Sequence, residues 1–156
     1  MKKILTLLAA SLLSIHFMNA QSVVFLHHST GNNLYNQGNV EGWIDNYNTT
    51  NGTEYQISER SYPNTPYSWK NYPYDYWNLW INGACDNAQS GIECLESICD
   101  GNDVVIWKHC YPGAAIVESS ESGDVSSEEK TLANYKAQYR ALRNKMDQLS
   151  DTKFIV

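Results

Sequence analysis

The chain has 156 residues and a formal net charge of −6, with 11 lysines and arginines against 17 aspartates and glutamates. This length suits one domain. No cluster of lysines or arginines is present, so the sequence argues against nucleic acid and anionic membrane surfaces as partners. A mildly acidic surface does not by itself identify a substrate.

The N-terminus has the pattern of a secretory signal peptide. Lys2 and Lys3 precede an apolar stretch over residues 4–15, and Ala20 is a small residue just before Gln21. The sequence therefore predicts a signal peptide over residues 1–20 and one domain over residues 21–156, secreted or periplasmic, with no membrane contact after cleavage. An uncleaved membrane anchor is the alternative.

The four cysteines lie close together in the chain, which suits an exported protein whose thiols can pair. Three pairings are possible and the sequence does not choose among them. Metal binding is the alternative, although no C-x-x-C pair occurs. We expect Cys110 to be disulfide-bonded rather than nucleophilic. The cysteines are Cys85, Cys94, Cys99 and Cys110.

Four apolar stretches predict strands, at residues 23–27, 54–60, 103–108 and 153–156. The first does not alternate between apolar and polar residues, which is typical of a strand buried on both faces in a parallel sheet.

Helices are predicted between these strands, at residues 40–47, 85–99 and 126–150. The last is the clearest, because apolar residues recur at spacings of three and four and Ser126 with Glu129 resembles a capping box. Residues 31–38, rich in asparagine and glycine, predict a loop. The aromatic segment 72–80 predicts a loop packed over the core, or a surface that stacks on sugar rings.

Strands that alternate with helices predict βαβ units, a parallel sheet and right-handed crossovers. The fold class is therefore α/β, with three layers. Because residues 153–156 open a buried strand, we expect the sequence to be part of a longer domain whose last strand and helix are missing.

The segment with the clearest chemistry follows the first strand, where His27 and His28 precede Ser29 and Gly31. Ligands of open α/β sheets bind at the carboxyl ends of the strands, so a serine there is a candidate nucleophile. The alternative is a serine that only ends the strand and caps the following loop.

Residues 25–30 resemble the first motif of the SGNH (GDSL-like) hydrolase superfamily, in which a strand delivers Phe-Ile-Gly-Asp-Ser. Here His27 and His28 stand at the Gly and Asp positions, and Ser29 stands at the nucleophile. Residues 103–112 resemble the strand of the family's third motif, with Lys-His-Cys-Tyr-Pro in place of its Gly-x-Asn-Asp.

The resemblance implies a flavodoxin-like sheet and a secreted serine esterase, with deacetylation of carbohydrates as one such reaction and no cofactor. Its substrate would be a small-molecule or glycan ester. The family's Asp-x-x-His follows the last strand and has no counterpart in residues 1–156, so we expect this chain to be inactive or nearly so. The alternative function is a non-catalytic glycan-binding domain on the same fold, using the aromatic segment.

Six further residues are candidates for the oxyanion site or the substrate pocket. Lys108 suits support of an oxyanion, and His109 suits a substitute base or a structural role. A zinc site built from three histidines is a further alternative, although no zinc-binding spacing supports it. The six candidates are His27, His28, Gly31, Asn32, Lys108 and His109.

Overall fold

The computed structural model describes residues 21–86 and 91–156, so the predicted signal peptide lies outside the described residues. Four strands form one sheet in which every pair is parallel, in the order β2-β1-β3-β4. The α/β fold with a parallel sheet is thus confirmed, and each predicted strand is present within two residues of its predicted start and end. The strands are β1 Ser22–His27, β2 Gln56–Ser61, β3 Val104–Trp107 and β4 Lys153–Ile155.

Helices follow or connect these strands. Short 3₁₀ turns lie at Ala84–Asp86 and Tyr111–Ala114. Among the described residues, none of the helices has the length and apolar character needed to cross a bilayer. The helices are α1 Thr30–Gln37, α2 Val40–Asn51, α3 Pro73–Trp80, α4 Leu95–Cys99 and α5 Leu132–Met146.

One face of the sheet carries the main hydrophobic core. Alternate residues of β1 and β3, among them Leu26 and Trp107, point to this face because strand side chains alternate. They pack against α3, α4 and α5, whose contributions include Tyr76, Ile98 and Leu142.

The opposite face lies under α1 and α2. Phe25 and His27 of β1 point to it, and the Phe25 ring stacks on Tyr35 of α1 at 6.3 Å between centroids. The Tyr35 hydroxyl donates to Glu41 Oε1 at 3.0 Å and lies 3.2 Å from the Ile57 carbonyl oxygen, which joins α1, α2 and β2. Helices therefore cover both faces of the sheet.

The strand order decides where a ligand can bind. From β1 the chain runs to β2 on one side and then crosses to β3 on the other. This order begins the flavodoxin-like arrangement, whose ligand crevice opens at the carboxyl ends of β1 and β3.

Several sequence predictions about helices were wrong. Residues 31–37 belong to α1 rather than a loop, because the turn after β1 leads directly into a helix. The aromatic segment forms helix α3 after Tyr72 rather than a loop, with Pro73 at the first position of the helix. It packs over the core as predicted, because Tyr72, Tyr76 and Trp80 are buried, while Tyr74 and Trp77 stay partly exposed.

The boundaries of two predicted helices also differ. The Thr131 side chain accepts from the Asn134 N–H and caps α5, while Ser126 hydrogen-bonds Asp124, so the proposed Ser126–Glu129 capping box is absent. Of the predicted helix over 85–99, the structure shows the 3₁₀ turn that ends at Asp86 and the five residues of α4; residues 87–90 lie outside the described part.

The cysteines form one disulfide, between Cys85 and Cys94. Cys99 and Cys110 are free thiols, so the expectation that Cys110 is disulfide-bonded was wrong. The disulfide occupies the sulfurs of Cys85 and Cys94. The alternative of a metal bound by the four cysteines therefore loses two of its ligands.

Candidate active site

Ser29 lies in a strained turn between β1 and α1. It occupies the N-cap position of α1, with φ 48° and ψ −113°, and its side chain is exposed. A residue with a Cβ pays a cost of order 1–3 kcal/mol in such a conformation, and strain of this kind concentrates at functional sites. A strand-to-helix turn that lifts a serine hydroxyl above a parallel sheet is the geometry of a nucleophile elbow.

Gly31 allows this turn to lie directly on the end of β1. A Cβ at position 31 would lie 2.4 Å from His27 Cβ and 2.7 Å from His27 Cγ, so no larger residue fits. The N–H groups of Gly31 and Asn32 donate to the His28 and Ser29 carbonyl oxygens, each at 2.9 Å. These bonds close the turn and hold the Ser29 backbone in place.

Lys108 lies beside the turn because β3 is the neighbour of β1. Its N–H donates to the Leu26 carbonyl oxygen at 3.2 Å, and its Nζ donates to Thr30 Oγ1 at 3.3 Å. Among the described residues, the Thr30 N–H has no hydrogen-bond partner. A backbone donor and an ammonium group therefore lie next to Ser29, as an oxyanion site requires.

His28 is fixed as a neutral side chain. Its ring stacks on Trp69 with 3.6 Å between centroids, and Nε2 hydrogen-bonds the Pro63 carbonyl oxygen. Because a carbonyl only accepts, Nε2 carries the proton, and Nδ1 of the neutral ring keeps its lone pair. Burial lowers the pKa of His28; the hydrogen bond to Pro63 opposes this, and the neighbouring His27 and Lys108 side chains lower it further.

His27 points away from this edge, to the face under α1. Its buried ring places Nε2 2.7 Å from Glu59 Oε2 of β2, close enough for an ion pair but without hydrogen-bond alignment. Asn32 is exposed on α1, and its Oδ1 accepts from Asn36 Nδ2 at 2.6 Å. The side chains of both residues are thus engaged away from the Ser29 hydroxyl.

His109 packs inside an aromatic cluster rather than at the Ser29 turn. It meets Tyr76, Trp107 and Tyr139 edge-on, with ring centroids 5.0 to 5.6 Å apart. Its two ring nitrogens are buried without hydrogen-bond partners. Burial, with a smaller contribution from the Lys108 charge, lowers the pKa of His109 to about 4, so the ring is neutral at pH 7.

The three histidines do not form a metal site. Their ring nitrogens do not come within metal-ligating distance of one another in the part of the chain that the structure describes. The one group with that spacing there is Cys85, Asp86 and Cys94, and its two sulfurs are already joined to each other.

Sequence reasoning missed Asn71, which joins the loops around the site. It is fully buried in a left-handed conformation at φ 55°, and its Nδ2 donates to the Tyr62 carbonyl oxygen at 3.1 Å. The Asn71 carbonyl oxygen accepts from the Cys110 N–H at 3.0 Å. Asn71 thus ties the segment after β2 to the segment after β3. Asparagine tolerates positive φ, but the sequence alone does not show where a turn requires it.

No protein-family model, curated protein or solved structure matches this chain. The function is therefore argued from the geometry of the site.

Proposed function

We propose that this protein is a secreted serine hydrolase that acts on ester bonds, with Ser29 as its nucleophile. The observation that carries the proposal is the exposed, strained position of Ser29 at the carboxyl end of β1. This is the position where the β2-β1-β3 order opens a ligand crevice.

The chemistry follows the usual course of acyl transfer. Ser29 Oγ attacks the ester carbonyl carbon, a base takes the hydroxyl proton, and the bond to the alcohol breaks as that proton passes to the leaving oxygen. Water then hydrolyses the acyl-enzyme. The Thr30 N–H and the Lys108 ammonium are the proposed stabilisers of the oxyanion, which develops beside the first turn of α1.

Each of the three described histidines is held by contacts that keep it from acting as the general base for Ser29. His27 is held at Glu59, and His109 is packed among aromatic rings. His28 precedes Ser29 directly, and its ring is fixed against Trp69. No described residue hydrogen-bonds the Ser29 hydroxyl. We therefore propose that the general base is a residue other than these three histidines.

The test is covalent labelling with a fluorophosphonate, together with hydrolysis of p-nitrophenyl acetate and of acetylated xylan. The full-length protein is expressed, and the wild type and Ser29→Ala are assayed side by side. The matched control is Ser61→Ala, since Ser61 is an exposed serine at the end of β2 on the same edge.

We expect labelling and hydrolysis in the complete protein and in Ser61→Ala, and a loss of at least ~1000-fold in Ser29→Ala. Lys108→Met is expected to lower kcat about 10- to 100-fold while KM changes little, because Lys108 acts on the transition state. A folded complete protein that neither labels nor hydrolyses these esters would refute the proposal.

A non-catalytic glycan-binding role through segment 72–80 is the alternative that we do not favour, because most of its aromatic rings belong to the core. Tyr72, Tyr76 and Trp80 are each no more than 3% exposed, so these three rings cannot stack on a sugar without unfolding the core. The other two rings of the segment, Tyr74 and Trp77, are only partly exposed, with 5.7 Å between their centroids.

A further inference from the structure

Helix α2 presents aromatic side chains to solvent instead of burying them. None of its 12 residues is buried, and Trp43 and Tyr47 are 62% and 39% exposed. The two rings are one helical turn apart and stack with 5.6 Å between centroids and 22° between planes. Tyr55, just before β2, extends the row, since its ring centroid is 6.0 Å from that of Tyr47.

This surface, which we call the α2 aromatic face, is surrounded by uncharged polar groups. Trp43 and Tyr47 line a shallow concavity of about 160 Å³ together with Asn46, Thr50 and Asn51. The Asn46 side chain makes no hydrogen bond to any described residue, so both its amide donor and its acceptor are available to a ligand.

The charges near this face restrict the class of ligand. Helix α2 contains Glu41 and Asp45 and has no lysine or arginine. Phosphate groups and anionic membranes need positive charge, so neither suits the α2 aromatic face. A neutral sugar suits both of its components, because the C–H face of a pyranose packs on aromatic rings and its hydroxyls hydrogen-bond amides and hydroxyls.

We propose that the α2 aromatic face binds a neutral glycan chain. The two rings of Trp43 and Tyr47 pack on one sugar ring, and Asn46 with Thr50 contacts its hydroxyl groups. This inference does not depend on Ser29, since a glycan can bind here whether or not the protein cleaves esters.

The test is isothermal titration of the full chain with neutral hexasaccharides of glucan, xylan, mannan, galactan and chitin, beside the anionic polygalacturonate. Three variants are compared: Trp43→Ala, Asn46→Ala and the control Tyr111→Ala. Tyr111 is 85% exposed and has no described ring neighbour, so Tyr111→Ala removes an exposed aromatic ring from another surface.

We expect at least one neutral hexasaccharide to bind and polygalacturonate not to bind. Trp43→Ala should weaken binding about tenfold or more, Asn46→Ala should weaken it several-fold, and Tyr111→Ala should leave it unchanged. Absence of binding to the whole neutral panel, or equal affinity in Trp43→Ala and in Tyr111→Ala, would overturn the proposal. Because the Trp43 ring is exposed, its loss should not unfold the chain, and far-UV circular dichroism checks this.

Discussion

The face of the sheet under α3, α4 and α5 is packed with large apolar side chains, whereas the face under α1 and α2 buries a histidine beside a carboxylate. Trp107 and Leu142 on the first face are each 1% exposed. On the second face His27 lies against Glu59, and α2 buries no residue. The first face therefore supplies most of the hydrophobic stabilisation, and the second face shapes the turn that carries Ser29.

The comparison predicts a large loss of stability for a substitution on α5 and almost none for a substitution on α2. Leu142→Ala on α5 should lower the free energy of unfolding by ~2–5 kcal/mol, because it leaves a cavity in the packed core. Trp43→Ala removes a larger side chain from α2 but should change stability by no more than ~0.5 kcal/mol, since that ring is exposed. Urea unfolding of both variants measures the difference. Equal destabilisation would mean that α2 is packed in solution, contrary to this comparison.

The second face also contains a tight contact, at Gly31. Gly31→Ala should lower the free energy of unfolding by ~1–3 kcal/mol, because the new methyl group would overlap the His27 side chain. Asn33→Ala is the control, since Asn33 is exposed on the same helix and alanine favours helices. Thermal unfolding followed by circular dichroism measures both. A Gly31→Ala protein as stable as Asn33→Ala would show that the turn does not lie against β1.

These two faces also explain how much the sequence could predict. Strands β1 and β3 were predictable because each contains a run of four apolar residues without alternation, and the parallel sheet followed from their alternation with helices. The first turn of α1 was not predictable, because Asn and Gly are typical of loops. Only the contact between Gly31 and His27 shows why the helix begins there.

For the candidate site, the sequence could place Ser29 and Lys108 at one sheet edge, since both follow strands that pair. It could not show that Trp69 stacks on His28, because position 69 lies in an irregular segment with no periodicity. Nor could it show that His109 is enclosed by aromatic rings, since that depends on α3 and α5 packing on the same face.

The face of the sheet under α3, α4 and α5 contains a titratable group, His109. The free energy of unfolding should therefore depend on pH. The pKa of His109 falls from 6.5 in the unfolded chain to about 4 in the folded protein, so between these values the unfolded state binds more protons. The free energy of unfolding should therefore fall as the pH drops from 6.5 to 4, by ~2 kcal/mol from this residue.

The measurement is urea unfolding at a series of pH values for the wild type and for His109→Phe, which keeps an aromatic ring in the cluster. Burial raises the pKa of Asp75, which contributes with the opposite sign, but this contribution is common to both proteins and cancels in their difference. A difference that stays constant from pH 7 to pH 4 would show that His109 titrates normally and is not enclosed.

The smallest expected effect concerns the strain at Ser29. At an ordinary position glycine is less stable than alanine by ~0.5–1 kcal/mol, because it loses more backbone freedom on folding. At φ 48° and ψ −113° a Cβ is strained and glycine is not, so Ser29→Gly should be more stable than Ser29→Ala by ~1 kcal/mol. Chemical denaturation of the two variants measures this reversal, and a glycine variant less stable than the alanine variant would refute the strained geometry. If the reversal is found, the chain keeps a serine where glycine would suit the backbone better. The folded protein is then less stable with serine than with glycine at position 29 but keeps an exposed hydroxyl there. This is expected of a nucleophile and not of a simple helix cap.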